Sequence, residues 1–248
     1  RAIDCLDLND MLSTAKEVKL PENMRIVLTG HGRVGQGAKE VLDHLKIRSV
    51  HPDDFLRMDF PEPVYTHLDV SDYNRRKDGD AFDMSEFIGE PMLFESTFMP
   101  FAQRGDLFIA GHFWAEGSPF LFTRKDMRHP NWNVKVVADI SCDIDGPVAC
   151  TIRPSTIADP LYGYDPKEQK ECAATDADGI TVMAVDNLPC ELPRDASDGF
   201  GQELMEHVIP LLVLGDADGI LDGASETTAK GTLNEPFEYL SGYVRGGQ

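Results

Sequence analysis

The sequence predicts an α/β protein built on a doubly wound parallel sheet, with flanking helices that belong to a second, incomplete domain. Residues 26–29 form a short apolar run rich in β-branched side chains that stops at Gly30, and a helix-compatible stretch, residues 36–45, follows directly. Further apolar runs occur at residues 107–114, 134–140 and 179–185. Buried strands that alternate with helical segments are typical of parallel sheets.

The turn after the first strand carries a glycine motif. Gly30, Gly32 and Gly35 fit the spacing G-x-G-x-x-G between a strand and a helix. The first glycine permits a sharp turn, the second lets the backbone approach a pyrophosphate, and the third lets the helix pack on the strand. The free N–H groups of the helix would then face the phosphates. The spacing predicts a Rossmann dinucleotide-binding turn; a glycine-rich turn with a purely structural role is the alternative.

An acidic residue is expected about 20 positions beyond these glycines, where it accepts hydrogen bonds from the adenosine ribose. Residues 47–50 are predicted as the second strand, and Asp53 and Asp54 follow it. A carboxylate there would also repel the extra phosphate of NADP, so Asp53 favours NAD, with NADP as the alternative. The competing interpretation is that Asp53 and Asp54 only cap a short helix.

The middle of the chain is less regular. Residues 57–91 are too long for an ordinary connection and are predicted as a hairpin or flap at the domain edge, although residues 64–70 alternate like a strand. Residues 95–104 are predicted as a helix before the strand 107–114. His112 and Trp114 fall at the carboxyl end of that strand, where doubly wound sheets bind ligands. For both side chains a packing role is the alternative.

Acidic side chains follow the last two predicted strands. Asp139 and Asp143 lie at the end of the strand 134–140, where turn chemistry explains them as well as a site does. Asp186 comes directly after the strand 179–185 and is predicted to point into the crevice of the sheet. Residues 151–178 are predicted as a loop, and residues 120–127 as the start of a short helix.

The predicted domain organisation has three parts. Residues 1–23 form a linker helix from a preceding domain, because Leu8, Met11, Leu12 and Ala15 share a helical face. Residues 24–190 form the dinucleotide-binding domain, and residues 191–248 a helical segment that packs toward the other domain. The chain begins at Arg1 instead of Met, and we therefore expect that part of the active protein is absent from it.

Composition excludes several classes of function. The 248 residues carry a formal net charge of -20, which would repel nucleic acid and anionic membrane surfaces. The sequence contains no run of eighteen apolar residues and no signal peptide, so cytoplasm is the default compartment. The five cysteines show no C-x-x-C spacing and are predicted to be buried thiols without a disulfide framework or metal site.

Four segments together resemble one enzyme family. They are Gly-His-Gly-Arg-Val-Gly-Gln-Gly-Ala at 30–38, Ala-Asp-Ile-Ser-Cys-Asp at 138–143, Pro-Leu-Tyr-Gly-Tyr-Asp-Pro at 160–166 and Val-Asp-Asn-Leu-Pro-Cys-Glu-Leu-Pro-Arg-Asp-Ala at 185–196. They resemble the lysine-forming saccharopine dehydrogenases and the lysine-ketoglutarate reductase half of aminoadipic semialdehyde synthase. The wider group includes alanine dehydrogenase and the transhydrogenase nucleotide domain.

The resemblance implies an NAD(P)-dependent oxidoreductase that joins lysine and 2-oxoglutarate reductively, or runs the reverse reaction, in a cleft between two domains. It implies that the catalytic Lys and His lie in the amino-terminal domain, outside this chain, so Asp186 is at most an orienting group. With the glycine motif it gives these candidate cofactor contacts: Gly30, Gly32, Arg33, Val34, Gly35, Asp53, Trp114, Ile140, Val185, Asp186, Asn187 and Leu188.

Two other functions stay open at this point. One is an amino-acid dehydrogenase similar to alanine dehydrogenase, which a substrate screen would separate. The other is a dinucleotide-binding module without catalysis. The sequence leaves the oligomeric state and the direction of the reaction undetermined.

Overall fold

The computed structural model describes residues 1–246, and the chain divides into two compact units, Arg1–Leu192 and Pro193–Gln248. The strands are β1 Arg25–Thr29, β2 Arg48–Ser49, β3 Val64–Leu68, β4 Asn74–Arg76, β5 Phe94–Ser96, β6 Leu107–Ala110, β7 Val136–Asp139, β8 Leu161–Asp165, β9 Lys170–Cys172 and β10 Ile180–Met183. The α-helices are α1 Leu8–Ala15, α2 Arg33–His44, α3 Pro52–Arg57, α4 Met84–Gly89, α5 Met99–Ala102, α6 Pro193–Glu203, α7 Ile209–Leu214, α8 Ile220–Ala224 and α9 Ser241–Val244.

The first unit is built on an eight-stranded sheet in the order β2-β3-β1-β6-β7-β10-β8-β9. The six strands from β2 to β10 run parallel, and β8 and β9 continue the sheet in antiparallel pairing. The α/β class and the mostly parallel sheet predicted from the sequence are therefore confirmed. Because the parallel strands share a direction, the segments that follow β1, β3, β6, β7 and β10 meet at one edge of the sheet.

The strand that pairs with β1 on the side away from β6 is β3, and β2 lies beyond it at the sheet edge. The two residues of β2 are exposed, whereas four of the five in β3 are buried. A central position in a parallel sheet is covered on both faces and needs the longer apolar strand. The prediction that residues 57–91 form an excursion is therefore wrong for 64–68, which belong to the main sheet.

Two hydrophobic clusters cover the faces of the sheet. On β1, Ile26 and Leu28 pack with Leu42 of α2 on one face, while Val27 belongs to a larger aromatic cluster on the other. In that cluster the rings of Phe98 and Phe108 lie 4.8 Å apart between centroids. Alternating side chains of one strand thus supply both layers of the core.

The rest of residues 57–91 forms a small lobe. β4 pairs antiparallel with β5, and α4 lies between them in the chain, where Phe82 and Phe87 pack on Phe94. The hairpin predicted within residues 57–91 is present only in part, because its second strand, β5, lies beyond residue 91. The helix predicted at 95–104 is reduced to α5, because the backbone at its start pairs with β4 instead.

Two further differences from the sequence prediction concern residues 120–178. The predicted loop 151–178 contains β8 and β9, and the predicted helix start at 120–127 is only a short 3-10 helix, Asp126–Arg128. β8 and β9 approach closely, since a Cβ on Gly163 would lie 2.2 Å from the carbonyl oxygen of Ala173. The sheet thus gains a local hairpin, which joins it through the pairing of β8 with β10.

The second unit is helical. α6 and α7 are joined by a π-helical segment, Leu204–Val208, and shorter helices follow. None of the residues described in this unit is buried. By their spacing, Phe200, Leu204, Val208, Leu211 and Leu212 form an apolar stripe, in which Phe200 and Leu212 are 67% and 65% exposed. Among the described residues of this unit, the apolar stripe is therefore accessible to solvent.

Candidate functional site

A cavity of about 700 Å³ opens at the carboxyl edge of the parallel strands. Six of the predicted cofactor contacts line it: Gly30, Gly32, Arg33, Val34, Trp114 and Ile140. They come from the segments after β1, β6 and β7, which are neighbours in the sheet although they are far apart in the chain. The fold thus brings these predicted residues together at the point where the direction of chain winding reverses.

The floor of the cavity is main chain. Gly30 has φ +95°, and a Cβ on it would lie 2.2 Å from the carbonyl oxygen of Gly111. A Cβ on Gly35 would lie 1.7 Å from the carbonyl oxygen of Gly30, so the first turn of α2 rests directly on the glycine turn. A Cβ on Gly32, in contrast, would meet nothing within 4 Å. Gly32 is therefore the glycine whose backbone faces open space at the start of α2.

Two histidines fix the outer side of this turn. The Nε2 of His67 on β3 donates a hydrogen bond to the Gly30 carbonyl at 2.6 Å, because a carbonyl can only accept. The ring of His31 stacks on His67 with 3.9 Å between centroids. Burial lowers the pKa of His67, so its ring is uncharged at neutral pH. The two stacked rings therefore do not repel each other as two positive charges would. The sequence reading did not single out either histidine.

On the β3 side of the cavity the acidic residue is Asp69, whereas Asp53 does not line the cavity. Asp69 follows β3, is exposed, and lines the cavity, and its carboxylate accepts the backbone N–H of Ser71 at 3.2 Å. Asp53 lies on α3 outside the lining residues, with its side chain 62% exposed and 3.8 Å from Arg57. The spacing rule pointed to Asp53 because it assumes that the next strand in the chain neighbours β1. The longer alternating run that ends at Leu68 was the signal for Asp69.

The segment after β6 contributes one buried and two accessible aromatic side chains. His112 is buried, with its Nδ1 2.8 Å from the hydroxyl of Thr29, and burial lowers its pKa to about 4. This neutral imidazole joins the end of β1 to the segment after β6, and it also lines the cavity. Phe113 is 91% exposed and lines the cavity. Trp114 is half-buried, with its indole N–H donating to the carbonyl of Ser118 at 3.1 Å.

A hydrogen-bonded carboxylate organises the loop after β7. Asp139 is fully buried and accepts the hydroxyls of Thr151 at 2.5 Å and Ser141 at 2.6 Å, and the N–H of Cys142 at 3.1 Å. Burial raises the pKa of Asp139 in spite of these donors. Asp143 lines the cavity, and burial together with the Asp139 charge raises its pKa as well. Both acids therefore hold a proton more readily than a solvated carboxyl group.

The segment after β10 lies next to this loop but does not line the cavity. The thiol of Cys142 donates to the carbonyl of Ala184 at 3.2 Å, and the charge of Asp186 helps to raise the pKa of that thiol. Val185 is buried, Asp186 and Asn187 are exposed, and Leu188 is half-buried. These four predicted residues are therefore not among those that line the cavity, and the side chain of Asp186 is accessible to solvent.

Other kinds of site find no support in the part of the chain that the structure describes. Residues 1–246 contain no group of three or more His, Cys, Asp or Glu side chains arranged to hold a metal ion. The five cysteines are free thiols, but Cys150 alone among them is buried, so the prediction of buried thiols is wrong for the other four. Among the described helices, none combines the length and the apolar character that crossing a bilayer requires.

Sequence comparisons confirm the resemblance to saccharopine-related enzymes. The mouse protein "Alpha-aminoadipic semialdehyde synthase, mitochondrial" is 28% identical over 247 residues, which cover 88% of this chain and 27% of that protein. The Arabidopsis thaliana "Alpha-aminoadipic semialdehyde synthase" is 23% identical, over 86% of this chain and 22% of that protein. "Saccharopine dehydrogenase [NAD(+), L-lysine-forming]" of Schizosaccharomyces pombe is 28% identical over 121 residues, 48% of this chain and 31% of that protein.

A solved structure shows the same fold. An L-alanine dehydrogenase superposes with a TM-score of 0.50 at 14% identity, over 89% of this chain and 54% of that chain. No protein-family profile matches the chain. The chain is thus a distant homologue of the saccharopine-related enzymes with an alanine dehydrogenase-like fold, and it spans about a quarter of the length of the mouse relative it matches.

Proposed function

We propose that this distant homologue of the saccharopine dehydrogenases binds NAD in the cavity above Gly32 and forms the dinucleotide-binding part of an oxidoreductase that acts on an amino acid. One observation carries the proposal: a glycine turn made of main chain opens into a cavity of about 700 Å³ at the carboxyl edge of a parallel sheet. That volume lies in the range of small-molecule and cofactor sites.

The residues present fit the pyrophosphate of a dinucleotide. Gly32 precedes the first turn of α2, and the space that a Cβ on Gly32 would enter is free. The positive end of the α2 dipole supports negative charge at that place. A phosphate group can therefore approach the backbone of the turn as closely as hydrogen bonding requires.

The adenosine half would lie on the β3 side of the cavity. The Asp69 carboxylate is accessible there and can accept hydrogen bonds from ribose hydroxyls. Its negative charge would oppose a 2′-phosphate, and this supports NAD over NADP. The exposed side chains of Phe113 and of Ile88 on α4 line the same cavity and offer apolar walls to a purine ring. In this proposal Asp69 takes the role that the sequence gave to Asp53.

The nicotinamide would lie toward β7 and β10, beside Ile140, Trp114 and Asp143. When bound, the nicotinamide supplies the hydride chemistry. Asp143 can hold a proton at the cavity wall because its pKa is raised, and the exposed Asp186 after β10 can orient an amino or amide group. We assign no general acid or base within this chain, since the family resemblance gives those roles to a Lys and a His of an amino-terminal domain.

The proposed reaction is the reductive condensation of lysine with 2-oxoglutarate, or its reverse. Its support is the activity for which the Schizosaccharomyces pombe relative is named, together with the length of the matching segments. The relatives are several times longer, and we therefore propose that turnover needs a further domain, onto which the exposed stripe of residues 193–214 would pack. The compartment also stays a prediction, because the mouse relative is described as mitochondrial.

Binding is tested first, by fluorescence titration of the chain with NADH and with NADPH. We expect saturable binding of NADH and weaker binding of NADPH. In the variant Gly32→Ala the new Cβ would occupy the space reserved for the pyrophosphate, and NADH affinity should fall at least tenfold. Gly37→Ala is the matched control, since a Cβ on Gly37 also meets nothing within 4 Å but lies outside the cavity lining.

Turnover is tested second, on this chain and on the full-length gene product. NADH oxidation that depends on both lysine and 2-oxoglutarate would support the proposed reaction, and a screen of other amino acids and 2-oxo acids, alanine and pyruvate included, would separate it from an alanine dehydrogenase. Binding of NADH without turnover of any substrate by the full-length protein would favour a dinucleotide-binding module. Absence of NADH binding would refute the proposal from its first step.

A further inference from the structure

A second cavity, of about 570 Å³, lies at the opposite edge of the sheet. Glu62 and Pro63 line it just before β3 begins, whereas Asp69 lines the first cavity just after β3 ends. At about 3.3 Å per residue the two places are roughly 20 Å apart along the strand. The remaining walls come from the carboxyl end of α2 and from residues 16–20, which connect α1 to β1. It is a separate site from the proposed NAD cavity.

The charge of this cavity is opposite to that of the chain. The chain has 43 acidic and 23 basic residues, yet the cavity is lined by Lys16, Lys46, Arg48 and His44 against one acid, Glu62. Arg48 forms an ion pair with that acid, since its guanidinium lies 2.7 Å from the Glu62 carboxylate. Within residues 1–246 the ammonium groups of Lys16 and Lys46 have no ion pair or hydrogen bond. Two cationic groups therefore remain available to an anion.

Lys46 occupies a position that its backbone does not favour. α2 ends with the Ile47 N–H bonded to the Leu42 carbonyl and the Lys46 N–H bonded to the Asp43 carbonyl, a Schellman arrangement. The residue at the position of Lys46 in this motif is usually glycine, because φ is positive, and Lys46 has φ +59°. A lysine here is strained, but it carries an ammonium group to the wall of the cavity.

The other walls of the cavity are apolar, and the carboxyl end of α2 limits how much negative charge a ligand can carry there. Leu20, Leu45 and Ile47 line the cavity beside the lysines. The carboxyl end of α2 carries partial negative charge and offers no free N–H groups, so it opposes a phosphate dianion more than a single carboxylate. The complementary ligand has one carboxylate for the lysines and a short aliphatic body for the leucines.

From these observations we propose that this cavity is a binding site for a small aliphatic carboxylate, held by Lys16 and Lys46. The proposal is independent of NAD binding, because no residue lines both cavities. It also explains why the strained position at the end of α2 carries a lysine.

The test uses hexanoate as the probe. As controls, 1-hexanol has the aliphatic chain without the carboxylate, and inorganic phosphate has negative charge without the aliphatic chain. Isothermal titration should show saturable hexanoate binding that weakens as salt is added, since exposed charge pairs are screened. Lys16→Gln and Lys46→Gly should each lower hexanoate affinity roughly threefold to tenfold. Lys46→Gly should at the same time raise the melting temperature, because glycine relieves the positive φ.

Gln169→Gly is the matched control. Gln169 also has a positive φ, +54°, but lies outside the cavity, so its replacement should raise the melting temperature without any change in hexanoate affinity. Unchanged hexanoate affinity in Lys46→Gly, equal binding of 1-hexanol, tighter binding of phosphate, or no saturable hexanoate binding would each overturn the proposal. A loss of affinity together with a gain in stability cannot be explained by misfolding.

Discussion

The glycine turn after β1 and the acidic loop after β7 lie at the same edge of one sheet, but they are held in place by opposite means. The turn is fixed by contacts between main-chain atoms of Gly30, Gly35 and Gly111, which leave no room for a Cβ. The loop is fixed by side-chain donors that surround the buried carboxylate of Asp139. The difference implies that the turn is sensitive to any added atom and the loop to any removed polar atom.

Gly35→Ala should have the largest effect of the changes considered. Its Cβ would overlap the Gly30 carbonyl oxygen at 1.7 Å, and relief requires α2 to move away from β1. Overpacking of this kind costs about 3 kcal/mol, and NADH binding should be lost with it. Chemical denaturation measures the first effect and titration the second. Gly37→Ala in the same helix should be neutral or slightly stabilising; equal losses in both variants would show that the close contact is not what matters.

Asp139→Ala tests the other half of the comparison. The hydroxyls of Thr151 and Ser141 would lose their acceptor inside the protein, which costs about 2 kcal/mol in the free energy of unfolding. The double variant that also replaces Thr151 by Val should recover part of that loss, because one orphaned donor is removed. A stability equal to that of the wild type would contradict the assigned role of the carboxylate.

The pH dependence of stability sharpens the same point. Burial raises the pKa of Asp139 in the folded chain, so the folded state binds its proton more tightly than the unfolded chain does. The stabilisation is therefore complete below the ordinary carboxyl pKa, about 4, and is lost as the pH rises through the raised value. The free energy of unfolding of the wild type, relative to Asp139→Asn, should fall over that range. If this difference in the free energy of unfolding instead grew with pH, the pKa of Asp139 would have to be lowered in the folded chain, which contradicts the prediction.

Asp69→Ala should change cofactor affinity and leave stability almost unchanged. Loss of a charge-assisted hydrogen bond to a ribose hydroxyl lowers NADH affinity about tenfold, and loss of the negative charge should bring NADH and NADPH affinities closer together. Asp53→Ala is the control and should bind NADH like the wild type. The reverse result would return the ribose-binding role to Asp53, as the sequence spacing suggested.

Thr29→Val should have the smallest effect. It removes the hydroxyl that pairs with the Nδ1 of His112 and joins the ends of β1 and β6, at a cost of about 1 kcal/mol. The main-chain contacts of Gly30 and Gly111 remain, so NADH affinity should fall little. A loss of affinity as large as that in Gly32→Ala would mean that side chains, and not main chain, shape the floor of the cavity.

The sequence predicted the elements of the fold that depend on neighbouring residues. It did not predict the order of the strands, which depends on pairing between distant parts of the chain. β1, the glycine turn and α2 follow from one continuous stretch, and they were predicted with only the start of the helix displaced. The choice of Asp53 instead of Asp69 followed from the assumed order of strands, and no local pattern shows that β3 lies between β2 and β1. β8 and β9 form a local hairpin and were missed for a different reason, because three prolines within residues 151–178 suggested a loop.

The residues of the candidate site divide in the same way, into those whose position follows from the local sequence and those whose position depends on distant segments. Residues at strand ends, such as Ile140 and Trp114, could be predicted because every parallel strand ends at one edge. The apolar wall from α4 could not, because Ile88 lies in a segment whose polar composition suggested only a solvated flap. The buried network around Asp139 also needs Thr151, twelve positions later, and spacing alone does not join the two.

A cavity floor made of main chain has no rotamers to lose. The atoms beneath the proposed pyrophosphate site belong to Gly30, Gly32 and Gly111 and are already held by the sheet and by α2. Binding there would immobilise few side chains, and the ordering cost that usually reduces affinity would be small. The phosphate half of the cavity is thus preorganised, while the walls formed by Phe113 and Ile88 keep the freedom to adjust to the ring that they meet.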